Sequence, residues 1–119
     1  MWPRRPPEPT ATPREDGISA IRDVELSAGI PDLNRGRRPV SPPLARMAGL
    51  EGDVTVRFSI DSGGATSINQ VDGPNELKGA AESLVRSWGF RRTAAHRVYA
   101  VALIQYRMAG STARISLSE

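Results

Sequence analysis

Residues 49 to 64, GLEGDVTVRFSIDSGG, constrain the fold more than any other part of the chain. Apolar residues alternate with polar ones there, as in a β-strand that buries one face. The alternating apolar residues are Val54, Val56, Phe58 and Ile60. The DSGG that follows supplies residues that tolerate a positive φ, as a tight turn requires. We therefore predict a strand over residues 53 to 60, a hairpin turn, and a second strand over about residues 65 to 71.

The second strand and the segment after it complete the central pattern. The second strand alternates imperfectly, which predicts a β-bulge near Ser67. In DGPNELKGAAESLVRSWGF, Pro74 suits the first position of a helix and Gly89 ends it. The apolar residues between them form one stripe, as in an amphipathic helix that covers a sheet. The residues of this stripe are Leu77, Ala81, Leu84, Val85 and Trp88.

The rest of the chain divides into three parts by composition. Residues 1–38 are rich in proline and arginine and are predicted to form an extended or partly helical linker, with weak helical spacing over residues 17 to 30. Residues 39–108 form the domain, with a short helix at 43 to 48 and a third strand at 98 to 108. Residues 109–119 form a tail with a short extra strand at 114 to 117. The predicted fold class is α+β: a small three-stranded antiparallel sheet packed against one main amphipathic helix, plus a short N-terminal helix.

Composition excludes several kinds of chemistry. The chain has no cysteine, which excludes a disulfide framework and a thiolate metal site. The only histidine, His96, has no nucleophile or carboxylate at a suitable spacing, so no catalytic residue is assigned. The net charge is +3, and the basic residues are interspersed with acidic ones. Aromatic residues make up only 5% of the chain. Both features favour a solvated surface over nucleic-acid binding. We predict no enzymatic activity, no metal and no cofactor.

A sheet can bind a partner without any catalytic group. Its edge strands carry unpaired backbone groups, and an extended peptide can pair with them as an added strand. The alternative is an edge that is merely tolerated and is protected by arginines such as Arg97 and Arg107.

The ordered motifs in residues 39 to 108 resemble the C-terminal domain of TonB-like energy transducers. These motifs are a proline before a short helix that ends in AGLEG, then VTVRF, then DSGG, then a GP that opens a helix ending in SWGF, and finally an alternating strand. The resemblance implies a periplasmic domain that binds a peptide segment of an outer-membrane TonB-dependent transporter by strand addition to its last strand. The implied edge strand consists of Val98, Tyr99, Ala100, Val101, Ala102, Leu103, Ile104, Gln105, Tyr106 and Arg107.

The resemblance also sets the expected partners. Inner-membrane motor proteins are expected only if the chain continues into an N-terminal membrane helix, and the domain is membrane-anchored only in that case. No nucleic acid is expected, and a homodimer is a further candidate. The tail beyond Met108 is itself able to pair with the predicted edge and block it. The alternative function is a structural or dimerisation module of a larger envelope or signalling protein.

Overall fold

The computed structural model describes residues 18–92 and 97–118, and within these ranges the chain forms seven strands and two helices. In chain order they are β1 (Val24–Leu26), β2 (Leu33–Arg35), α1 (Pro43–Met47), β3 (Gly52–Ile60), β4 (Thr66–Asp72), α2 (Asn75–Ser87), β5 (Gly89–Phe90), β6 (Val98–Tyr106) and β7 (Thr112–Leu117). No helix within the described ranges is long and apolar enough to cross a membrane.

The main sheet has five strands, in the order β1-β7-β6-β3-β4. Neighbouring strands are antiparallel except β1 and β7, which are parallel, so the sheet is mixed. Strands β2 and β5 form a separate two-stranded ribbon. The predicted three-stranded antiparallel sheet was therefore wrong: the central strands β4, β3 and β6 were identified, but β7 and β1 extend the sheet beyond β6.

The missing strands come from the segments assigned to a linker and a tail. In β1, Val24 and Leu26 are buried while Glu25 is exposed, which is the period of a strand and not of a helix. Asp23 adopts a positive φ of 67°, which a continuous helix through this segment would not allow. In the predicted tail, Ala113 and Ile115 are buried in β7, so these terminal segments contribute to the same core.

Strands β3 and β4 form the hairpin that DSGG predicts. The carboxylate of Asp61 accepts hydrogen bonds from the backbone N–H groups of Gly63 and Ala65, both at 2.9 Å. This side chain therefore satisfies donors that the turn would otherwise leave unpaired. The predicted bulge lies two residues later than expected: the register shifts between Ile68 and Gln70, and Asn69 has no partner on β3.

Helix α2 covers one face of the main sheet and ends in an aromatic cluster. The buried residues of α2 are the predicted ones, Leu77, Ala81, Leu84 and Val85. The helix ends at Ser87 because Trp88 already has an extended ψ of 133°, so the chain turns into β5 before Gly89. The ring of Trp88 lies 6.2 Å from that of Phe58 and 6.5 Å from that of Phe90. These three rings fill the space between α2, β3 and the two-stranded ribbon.

Hydrogen bonds to Asp32 tie the first described residues to the ribbon. The Asp32 carboxylate accepts a bond from the N–H of Ile18 at 2.9 Å and one from the Arg91 guanidinium at 3.1 Å. These bonds favour the ionised carboxylate and hold the pKa of Asp32 below its usual value, with the Ile18 N–H as the largest cause. The segment before β1 is thus fastened to β2 and to the end of β5.

Candidate functional site

The strand predicted to bind a partner lies inside the sheet. Residues 98 to 106 form β6, which pairs along its whole length with β3 on one side. On its other side, Ala100 to Gln105 pair with β7. Backbone groups on both sides of β6 are therefore hydrogen-bonded to neighbouring strands over most of its length. The sequence predicted that this strand is an edge, but in the structure it is an inner strand. An added peptide would first have to displace β7.

Arg107, the last residue of the predicted edge, lies just beyond β6 and holds the start of β3. Its guanidinium contacts the Asp53 carboxylate at 2.7 Å and donates to the backbone oxygen of Gly52 at 3.3 Å. The N–H of Arg107 donates to the hydroxyl of Ser111 at 3.1 Å, within the turn that leads to β7. Arg107 thus has a structural role that joins the end of β6, the start of β3 and the turn that leads to β7.

The side chains of β6 separate by face. Ala100, Ala102, Ile104 and Tyr106 point into the core and are fully buried. On the opposite face, which we call the outer face of the sheet, Tyr99 is 58% exposed and Leu103 is 38% exposed. Leu103 lies opposite Thr55 on β3 and Arg114 on β7. The Arg114 guanidinium contacts the Glu25 carboxylate at 2.8 Å. The outer face thus carries the side chains of Tyr99, Val101 and Leu103 beside a surface ion pair.

Strand β4 is the longest strand that pairs on one side only, within the part of the chain that the structure describes. It pairs with β3, and none of the described strands pairs with its other side. The exposed side chains of β4 are Ser67, Asn69, Gln70 and Asp72. Strand β4 contains no lysine and no proline, which natural edge strands often use to prevent pairing, although its bulge at Asn69 has a related effect.

The opposite edge of the sheet is much shorter. Strand β1 has three residues and pairs in parallel with β7, from Val24 with Ala113 to Leu26 with Ile115. A strand of this length offers few backbone groups to a partner, and short edge strands are one of the ways in which proteins limit edge pairing. The geometry therefore makes β4 the better candidate for strand addition.

Sequence reasoning did not select β4, because the resemblance placed the binding edge at residues 98 to 107. Whether those residues form an edge depends on a neighbouring strand that lies in a different part of the chain. A signal was nevertheless present for the strand that covers β6. In residues 112 to 117, TARISL, the apolar residues Ala113, Ile115 and Leu117 alternate with polar ones. This alternation predicts a strand longer than the one expected at residues 114 to 117, and β6 was its nearest partner.

The remaining chemical candidates give no site. His96 lies outside the described residues. Within residues 18–92 and 97–118, no group of three or more acidic or histidine side chains is placed to hold a metal ion.

Comparisons with models of protein families, with curated proteins and with solved structures found no match to this chain.

Proposed function

We propose that this chain is a non-enzymatic domain that binds an extended peptide segment by strand addition at β4. The observation that carries the proposal is the seven-residue length of β4, which pairs with β3 alone among the described strands. Backbone N–H and C=O groups on such an edge can hydrogen-bond to an incoming strand and supply affinity without any catalytic residue.

The side chains of β4 support this role. Ile68 and Val71 are half-buried against the core, while Ser67 and Gln70 lie on the outer face beside β3. An added peptide with alternating apolar and polar residues would continue both faces of the sheet. The bulge at Asn69 divides the edge into two three-residue segments, so the peptide either pairs with one of them or carries a matching irregularity.

The resemblance to TonB-like energy transducers supplies the proposed partner class. The partner is then a segment of an outer-membrane transporter, bound in the periplasm, and inner-membrane motor proteins join only if a membrane helix precedes the chain. In that family the peptide pairs with the last strand of the motif, which corresponds to β6. Because β7 occupies that position here, the peptide would use β4 instead.

A dimerisation module is the second candidate function, and the same edge favours it. Two copies of β4 related by a twofold axis would pair antiparallel and form one continuous ten-stranded sheet from two five-stranded sheets. The polar exposed residues of β4 fit this arrangement as well as they fit a foreign peptide. The candidates differ in whether the edge is occupied before any peptide is added.

A backbone amide NMR titration tests the proposal. The probes are ten-residue peptides from the periplasmic ends of outer-membrane transporters, with scrambled peptides as controls. Strand addition predicts shifts concentrated at residues 66 to 72. Shifts along both β6 and β7 would instead mean that the peptide displaces β7, and concentration-dependent shifts at β4 without peptide would favour the dimer. The absence of shifts for every peptide, in a folded monomer, would contradict peptide binding.

Introducing a lysine on the edge strand is expected to weaken peptide binding. Ser67→Lys places a charged side chain on β4 next to the incoming strand, as natural edge strands do to prevent pairing. We expect peptide affinity to fall by about tenfold, which is about 1.4 kcal/mol. Thr112→Lys, at an exposed position of β7, is the matched control with the same added charge and should leave affinity unchanged. Equal affinities for both variants, measured by the same titration, would reject β4 as the binding edge.

A further inference from the structure

A groove lies between α2 and residues 37 to 43, which lead into α1 and include its first residue. Its volume is about 580 Å³, within the range of pockets that bind small molecules. Apolar side chains line one part of it: Val40, Pro42, Pro43 and Leu84. The polar residues that line it are Arg37, Arg38, Ser41, Ser83 and Tyr106. The groove is separate from β4, whose residues do not line it.

Two hydrogen bonds of its backbone fix the position of Arg37 beside this groove. Its N–H donates to the hydroxyl of Ser87 at 3.0 Å, and its carbonyl oxygen accepts the indole N–H of Trp88 at 3.2 Å. Its guanidinium donates to the hydroxyl of Ser83, which leaves the Ser83 hydrogen available to another acceptor. Within residues 18–92 and 97–118 no carboxylate pairs with Arg37, whereas its neighbour Arg38 is bound by Asp23 at 2.9 Å.

Tyr106 adds a buried donor to the same groove. Tyr106 is only 1% exposed, yet its hydroxyl has no hydrogen-bond partner in the described parts of the chain. A buried hydroxyl without a partner is unfavourable, so such a group is unusual unless a ligand or water completes it. Burial raises the pKa of Tyr106 to about 12, while the nearby charge of Arg37 lowers it, so the phenol remains a neutral donor at neutral pH.

We propose that this groove binds a small carboxylate with an apolar body. The carboxylate accepts hydrogen bonds from the Arg37 guanidinium, the Ser83 hydroxyl and the Tyr106 phenol. The apolar body lies along Val40, Pro42 and Leu84.

The three donors explain why the ligand class is a carboxylate. A guanidinium without a carboxylate partner of its own attracts an anion, and its planar N–H groups match the two oxygens of a carboxylate. Two neutral hydroxyl donors beside it can complete the remaining acceptor positions of those oxygens. The apolar lining then favours a hydrocarbon body over a second charged group, because a buried charge without a partner is costly.

An NMR titration with octanoate tests this proposal, with octanamide as the uncharged control. Octanoate is expected to shift the amides of Arg37, Arg38, Val40 and Ser41, those of residues 80 to 84 and that of Tyr106, and to bind at least fivefold more tightly than octanamide. Equal affinity for the two probes, or octanoate shifts concentrated at Tyr99 and Leu103 on the outer face, would overturn the proposal.

Two variants in the groove and one control variant test the roles of Arg37 and Tyr106. Arg37→Gln should weaken octanoate binding at least fivefold, whereas Arg57→Gln removes an exposed arginine from the outer face and should leave affinity unchanged. Tyr106→Phe should weaken binding about threefold while the melting temperature stays equal or rises, since the hydroxyl has no described partner to lose. A fall in the melting temperature of Tyr106→Phe with unchanged octanoate affinity would give the hydroxyl a structural role and reject it as a ligand donor.

The buried phenol also makes protein stability depend on pH in alkaline solution. The pKa of Tyr106 is raised from 10.0 to about 12, mainly by burial, so the unfolded chain releases this proton at a lower pH than the folded protein. The stability that the buried, protonated Tyr106 contributes is fully present below pH 10 and is lost as the pH rises toward 12. Tyr106→Phe should therefore lose less stability over this range, as urea unfolding at pH 8, 10 and 11.5 would measure. If the original protein and Tyr106→Phe lose the same amount of stability over this pH range, Tyr106 is not the group responsible.

Discussion

Replacing Trp88 with alanine is expected to lower the free energy of unfolding by about 3–5 kcal/mol. The side chain is 2% exposed and lies against Phe58 and Phe90, so its removal leaves a cavity that two other rings cannot fill without moving. The variant also loses the hydrogen bond from the indole N–H to the carbonyl oxygen of Arg37. Single domains are typically stable by about 5–15 kcal/mol, so this one change would remove a large share of the total.

Urea unfolding followed by far-UV circular dichroism measures this loss, because the signal does not depend on the tryptophan that is removed. Trp88→Phe is the matched variant: it keeps an aromatic ring against Phe58 and should lose less than half as much stability as the alanine variant. A loss below about 1 kcal/mol for Trp88→Ala would show that this residue does not organise the core.

Local signals predicted the central hairpin and the main helix well. The alternation from Val54 to Ile60, the turn residues from Asp61 to Gly64, and the apolar stripe of α2 each depend on residues that are near one another in the chain. The end of α2 differs slightly, because the extended conformation of Trp88 is set by the ribbon against which it packs.

The order of strands could not be obtained from such signals. Strand β1 pairs with β7, so the two ends of the folded region meet, and no short-range pattern specifies that contact. The three-residue strand β1 is also too short to distinguish by periodicity from the helical spacing of the surrounding apolar residues. The pairing of β7 with β6 changes the function inferred, because it closes the edge of β6 and leaves β4 as the long open edge of the sheet.

The groove could not be predicted from the sequence either, because it also depends on contacts between segments that are distant in the chain. Arg37 belongs to a proline- and arginine-rich segment that composition describes as a linker, while Tyr106 ends a strand far along the chain. Only the fold brings the two to the same groove, through the bonds that Arg37 makes to the end of α2. Composition alone assigned the arginines near position 37 to a solvated surface.

Replacing Gly64 with alanine is expected to lower the free energy of unfolding by about 2–4 kcal/mol, from its positive φ and from a steric clash. Gly64 has a φ of +90°, and an added Cβ would lie 2.0 Å from the carbonyl oxygen of Phe90. That oxygen cannot easily move away, because the N–H of Phe90 donates to the oxygen of Gly64 at 2.9 Å and Phe90 pairs with Leu33 in the ribbon.

The neighbouring glycine offers a control within the same turn. Gly63 has no positive φ, and an added Cβ there would meet only the Asp61 carboxylate at 3.4 Å, which is an ordinary contact. Gly63→Ala should therefore leave stability within about 0.5 kcal/mol of the original protein. Urea unfolding of the two variants in parallel makes the comparison. Equal losses would mean that the turn, and not the contact between Gly64 and β5, governs the cost. A large loss for Gly64→Ala alone would show that the close approach to Phe90 and the positive φ, both specific to Gly64, determine the cost.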